Sequence, residues 1–198
     1  MKIIGLTGGI ASGKSTVSRF LAEMGAIIIN ADEVAHETLK SDIELQQEIV
    51  ADFGDQILTT EGRIDRERLG EIVFTNPDAL ARLNRIMHPR LYEMVRAQLE
   101  DYRQQKVKVV ILEVPLLIEA GWTALVDEIW VTVASEATVL GRLQQQVGLS
   151  AKQALARIGS QMPAKDRIKH ADVVIDTDCS LDELKARVAK PWQERAGI

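Results

Sequence analysis

The chain is poor in cysteine, in histidine and in unbroken apolar runs. Cys179 stands alone among 198 residues, which excludes an intrachain disulfide and a cysteine-ligated metal cluster and fits a reducing compartment. The three histidines are scattered and give no metal-ligand spacing. The longest apolar stretch, Val109 to Ile118, is interrupted by Glu113 and Pro115, far short of the ~20 apolar residues of a membrane-spanning helix. Basic charge is also in deficit: 24 Lys and Arg face 29 Asp and Glu, a net charge of -5. Since no predicted face carries a dense stripe of Lys and Arg, nucleic acid is not an expected partner, and without a spanning segment neither is a membrane. What the chain does have is 46% hydrophobic residues, ample for the core of one domain with an insertion.

Residues 8 to 15 read Gly-Gly-Ile-Ala-Ser-Gly-Lys-Ser, the phosphate-loop pattern of Gly, four residues, then Gly-Lys-Ser. Small residues at Gly8, Gly9, Ala11 and Gly13 let consecutive backbone N–H groups point into one concavity, and the following helix adds the positive end of its dipole. Gly9, Ile10, Ala11, Ser12, Gly13, Lys14, Ser15 and Thr16 are therefore the expected nucleotide-binding residues. Lys14 can reach the β and γ phosphates, and the Ser15 hydroxyl can ligate nucleotide-borne Mg²⁺. The context fits: Lys2 to Leu6 is β-prone, and Val17, Phe20, Leu21 and Met24 follow at helical spacing before Gly25. An ordinary glycine-rich turn needs no lysine and hydroxyl at these two offsets. The guanine-selecting Asn-Lys-x-Asp element is absent, which favours ATP. A functional loop at residue 8 argues against a cleaved leader, so the expected location is the cytoplasm.

Four further strands are expected at Ala26 to Asn30, Lys108 to Val114, Glu128 to Val133 and Asp172 to Asp176, whose continuous Val and Ile suit strands covered on both faces. Helical stretches between them, including Ser135 to Gln146 and Leu181 to Val188, predict an α/β fold: a doubly wound, five-stranded parallel sheet. Residues 33 to 106 break the rhythm. They hold no convincing buried strand, but apolar residues at helical spacing over Ile43 to Phe53, Leu69 to Phe74, Leu80 to Met87 and Leu91 to Tyr102. The expected organisation is a core of 1–32, 107–147 and 170–198, a helical insertion at 33–106, and a small helical segment at 148–169, rich in Arg and Lys and suited to a lid.

Asp32 follows the second strand, at the sheet edge that presents the loop. It can act as a general base toward an attacking hydroxyl, or cap a helix beginning at Glu33. Glu113 ends the third strand, where phosphate-loop enzymes keep an acid for Mg²⁺; Glu119 competes for that role, and either can be a solvent-facing glutamate. Arg142, Arg157, Lys165, Arg167 and Lys169 can close over a transferring phosphoryl group, or form a solvated helix face. His88-Pro89 can be a ligand contact or a turn opening a helix with proline at its first position.

With these pieces placed, the chain resembles the dephospho-coenzyme A kinases along nearly its whole length. The likeness is carried by Gly5-Leu6-Thr7-Gly8-Gly9-Ile10, Ala31-Asp32, Gly62-Arg63-Ile64-Asp65-Arg66, His88-Pro89, Val114 to Glu119 and Ala171 to Ile175. The resemblance implies a phosphate-loop kinase that uses ATP and Mg²⁺ to phosphorylate the ribose 3′-hydroxyl of dephospho-CoA; transfer to another small acceptor, such as a nucleoside monophosphate, is the alternative. It implies that Asp32 is the base, Lys14 the γ-phosphate clamp and Arg142 a transition-state or substrate contact. Arg66 and His88 become substrate-contact candidates, Ser15 and Glu113 metal-site candidates, 33–106 the CoA-substrate region and 148–169 the lid. The family commonly has Gly at position 11, Asp at 30, Arg at 146 and Asn at 177, where this chain has Ala11, Asn30, Gln146 and Thr177.

Overall fold

The computed structural model describes residues 1 to 197, with Phe74 described in its backbone alone. The expected core segment 170–198 ends on Ile198, which lies outside the described residues, as does the Phe74 side chain of the expected 69–74 apolar face. Two compact units divide the chain: Met1–Asn30 with the chain from Leu99 onward, and Ala31–Gln98.

The larger unit is built on five parallel strands, β1 (Lys2–Gly8), β2 (Ile27–Asn30), β3 (Val109–Glu113), β4 (Glu128–Val133) and β5 (Val173–Asp176), in the order β2-β3-β1-β4-β5. Every pairing is parallel. All five residues of β3 are buried, because both faces of the strand are covered. Ile111 joins Ile4, Leu6 and Trp130 in a core completed by Val17, Phe20 and Leu21 of α1 (Lys14–Glu23) and Leu184, Val188 and Trp192 of α9 (Leu181–Ala196). Its neighbours Val110 and Leu112 are fully buried too, which explains the unbroken apolar run. After β1 the chain leads toward β2 and β3, and after β4 toward β5, so adjacent β1 and β4 diverge and open a crevice at their carboxyl ends, where open α/β sheets bind ligands.

Three helices follow β4: α6 (Glu136–Val147), α7 (Ala151–Gly159) and α8 (Ala164–Ile168). Ser135 caps α6 by accepting the Thr138 N–H. Ser150 and Gln153 form a reciprocal capping box on α7.

The smaller unit holds α2 (Ala31–Ser41), α3 (Ile43–Phe53) and α4 (Arg66–Thr75), together with most of α5 (Pro77–Gln104). Its own core gathers Leu45, Ile49, Phe53, Ile57, Leu69, Val73 and Ala79. The Gly62 to Arg66 block is local architecture: Ile64 bridges Leu58, and Asp65 caps α4 by accepting the Glu67 and Arg68 N–H groups. One expectation is corrected. Pro89 does not open a new helix; it lies inside the 28-residue α5. Proline removes one backbone hydrogen bond and crowds the preceding turn, but the apolar face continues through it, with Leu83, Ile86 and Met87 packed on the core before it and Leu91 and Val95 buried after it. Likewise α9 runs past the expected Val188 and through Pro191, held by buried Trp192.

Candidate active site

The loop from Gly8 to Ser15 bends at the carboxyl end of β1, and its geometry explains its glycines. A Cβ on Gly8 would lie 2.1 Å from Thr132 Oγ1 and 2.5 Å from Ser12 Oγ, so only glycine lets β1 leave the sheet beneath that hydroxyl pair, itself joined at 2.7 Å. Gly13 takes φ 88° at the N-cap of α1, a left-handed conformation costly to any residue with a Cβ. Ala11 also has a positive φ, 53°, the one place where this loop sets a side chain in that region. Its methyl and the Ile10 side chain pack against Val139, Leu143 and Ala154 of α6 and α7.

A cavity of about 480 Å³ opens over the loop, lined by Gly8 through Thr16, by Arg142 and Gln146 of α6, and by Thr177, Cys179 and Leu181 beyond β5. Its size and its backbone donors at a helix N-terminus suit a nucleotide. Every loop residue proposed from the sequence lines it. Ser15 is exposed in the first turn of α1. Lys14 Nζ donates to Glu113 Oε1 at 2.5 Å, with 13% and 4% of the two side chains exposed. That pair gives the buried carboxylate at the end of β3 a partner and holds the ammonium beside the loop.

Arg142 is committed to the protein itself. Its Nη1 donates to Ala11 O (2.9 Å) and Thr177 Oγ1 (3.0 Å), and its Nη2 to Thr177 O (3.0 Å). Thr177 Oγ1 donates in turn to Ser12 O at 2.9 Å, and a Cβ on Gly13 would touch Thr177 at 3.0 Å. This network clamps the loop to the turn after β5. Thr177 is 1% exposed, and its hydroxyl serves the loop.

Within the helical unit, α2 begins at Ala31, so Asp32 lies exposed in its first turn and is not the cap of a helix starting at Glu33. The helix dipole favours a carboxylate there. Asp32 and His36, four residues apart, share one face of α2, and Arg66 hydrogen-bonds His36 Nδ1. The sequence singled out Arg66 but not His36, whose only signal is that four-residue spacing. His88 sits half-buried midway along α5, and burial holds its imidazole below the usual histidine range.

The 148–169 cations separate by burial. Arg157, Lys165 and Lys169 are exposed, whereas Arg167 is 2% exposed and donates to Glu119 Oε1 at 2.6 Å. Glu119, the rival to Glu113, is thus an ion-pair partner of this arginine. Gln161 was missed by the sequence reading: its Oε1 accepts the N–H of loop residue Ile10 at 2.7 Å.

The family model for dephospho-CoA kinase matches residues 2–183. A dephospho-CoA kinase from Dehalococcoides mccartyi is 43% identical over 195 residues, covering 98% of each chain. One from Carboxydothermus hydrogenoformans is 45% identical over 188 residues, 95% of this chain and 91% of that one. The solved dephospho-CoA kinase of Campylobacter jejuni superposes with a TM-score of 0.75 at 31% identity, covering all of this chain and 98% of that one. The chain belongs to the dephospho-CoA kinase family.

Proposed function

We propose that this member of the dephospho-CoA kinase family transfers the γ-phosphoryl group of ATP to the ribose 3′-hydroxyl of dephospho-CoA, releasing coenzyme A and ADP, as the last step of coenzyme A formation. The observation that carries the reading is the loop itself, a Gly8 to Ser15 cradle of backbone donors over a nucleotide-sized cavity, in a chain matched to the family through residue 183.

The chain's own groups divide the work. Backbone N–H groups of residues 9 to 16 hold the phosphates. Lys14 leaves Glu113 to neutralise charge on the β and γ oxygens. Asp32, two residues along the chain from the end of β2, accepts the proton of the attacking hydroxyl. Arg142 serves by holding the loop against Thr177. Arg66 and His88 contact the acceptor, and 148–169 acts as the lid that excludes water. The Ser15 hydroxyl and the Glu113 carboxylate are hard oxygen donors that fit Mg²⁺; when bound with the nucleotide, that ion supplies charge neutralisation and orientation of the phosphates. No described helix is long and apolar enough to cross a membrane, in keeping with action in the cytoplasm.

The test is acceptor-dependent ADP release by the pure, folded chain with ATP and Mg²⁺, the product identified by mass. Dephospho-CoA should stimulate turnover and gain one phosphoryl group. Stimulation by nucleoside monophosphates in its place would move the acceptor assignment, and no ADP above background with any acceptor would end the kinase reading.

A further inference from the structure

Arg167 is an energetic anomaly. Burying a guanidinium costs several kcal/mol even when it is paired, and here the Nε is buried with no hydrogen-bond partner while Nη2 alone meets Glu119. Stability does not account for a buried charge with a donor left unmade. Its location does. A Cβ built on Gly9 would lie 3.3 Å from Arg167 Nη1 and 3.6 Å from Gln161 Oε1, so both side chains lie beside the loop where phosphate is to be held. Gln161 Oε1 already accepts the Ile10 N–H, placing an oxygen on a loop donor that an anionic oxygen could use. Arg167, Gln161, Gly9 and Ile10 also line a second cavity of about 320 Å³ at the ends of β1 and β4.

We propose that Arg167 is a second cation, beside Lys14, that meets the transferring γ-phosphoryl group, with Glu119 as its counterion beforehand and Gln161 holding the Ile10 amide until a phosphate oxygen replaces it. The inference rests on the nucleotide reading above. In the transfer, the bond from the γ-phosphorus to its bridging oxygen breaks, the acceptor oxygen forms the new bond, the hydroxyl proton passes to Asp32, and ADP keeps the bridging oxygen. The guanidinium faces the oxygens on which charge is spread. ADP, lacking that group, makes no such contact.

The test is calorimetric titration, without acceptor, of ADP and of a non-hydrolysable ATP analogue, each with Mg²⁺, into wild type, Arg167→Met and Arg167→Lys. Arg167→Met strands Glu119, so Arg167→Met with Glu119→Gln is measured alongside, and thermal unfolding is recorded for each. Removing the guanidinium should weaken the analogue about tenfold or more, leave ADP within about twofold, and lower kcat roughly 10²- to 10³-fold. Equal losses for both nucleotides would make Arg167 a structural residue; no loss for the analogue would likewise overturn the assignment. If neither methionine variant folds, Arg167→Lys decides by the same ratio of affinities. A wild type that binds neither nucleotide overturns the nucleotide reading and this assignment together, whereas normal wild-type binding with an indifferent variant overturns this assignment alone.

Discussion

The two units spend charge differently. In the strand-built unit, charged and hydroxyl groups at the carboxyl edge are interlocked with at least one buried member in each pair: buried Glu113 with Lys14, buried Arg167 with the more exposed Glu119, and Ser12 with Thr132, both buried. In the helical unit the pairs lie outside the core, as with Arg82 and Asp52, whose side chains are 42% and 29% exposed, or Arg90 with Asp42 and Glu44. Buried pairs hold a fixed geometry and punish the loss of one partner; exposed pairs cost little to break. A group that must meet a small, constant ligand such as a polyphosphate profits from the first arrangement.

The largest expected effect tests the chemistry assigned to the exposed side. Asp32→Asn should lower turnover by about two to four orders of magnitude and leave ATP affinity and thermal stability near wild type, read by steady-state kinetics and calorimetric titration. Near-normal turnover would leave Asp32 as a carboxylate that merely favours the α2 dipole. Next, Lys14→Met should destabilise the fold by about 3 kcal/mol, because Glu113 is left buried without its cation. Adding Glu113→Gln should restore much of the lost stability while turnover stays low, and denaturant titration of both variants separates the two roles. Smaller still is a cluster around Glu128 at the far end of β4. Burial works against the Glu128 carboxylate, but hydrogen bonds from Lys2, Arg195 and Trp130 override it and hold the group at about 2. The unfolded chain binds that proton more readily, so the stability from Glu128 is complete above about pH 4.5 and lost as pH falls toward 2. Glu128→Gln should therefore flatten the acid limb of a stability-against-pH curve. Smallest is Arg82→Ala, expected to cost no more than about 1 kcal/mol. If it cost as much as Lys14→Met, the contrast between the units would fail.

What the sequence disclosed cuts across the two units. The five strands and the loop could be read because backbone conformation restricts residue type locally: β-branched runs in covered strands, glycine where Thr132 leaves no room for a Cβ. The Arg142 clamp, the Gln161 contact and the burial of Arg167 among exposed neighbours were not legible, since each joins positions tens of residues apart through long side chains without periodic spacing. The unbroken α5 was hidden for another reason. Proline reads locally as a boundary, while the apolar face that overrides it is spread over several turns. His36 escaped because its partner, Arg66, is thirty residues away.

Ala11 carries one more consequence. Its left-handed backbone costs roughly 1–2 kcal/mol relative to a glycine, while its methyl group is seated against the apolar cluster of α6 and α7. Replacing it by glycine would relieve the strain and also multiply the shapes the ligand-free loop can visit. The amides around residues 10 to 13 should then exchange with deuterated solvent faster, and nucleotide capture should carry a larger unfavourable entropy. The methyl group makes the loop a rehearsed shape, slightly uncomfortable at rest and ready when phosphate arrives.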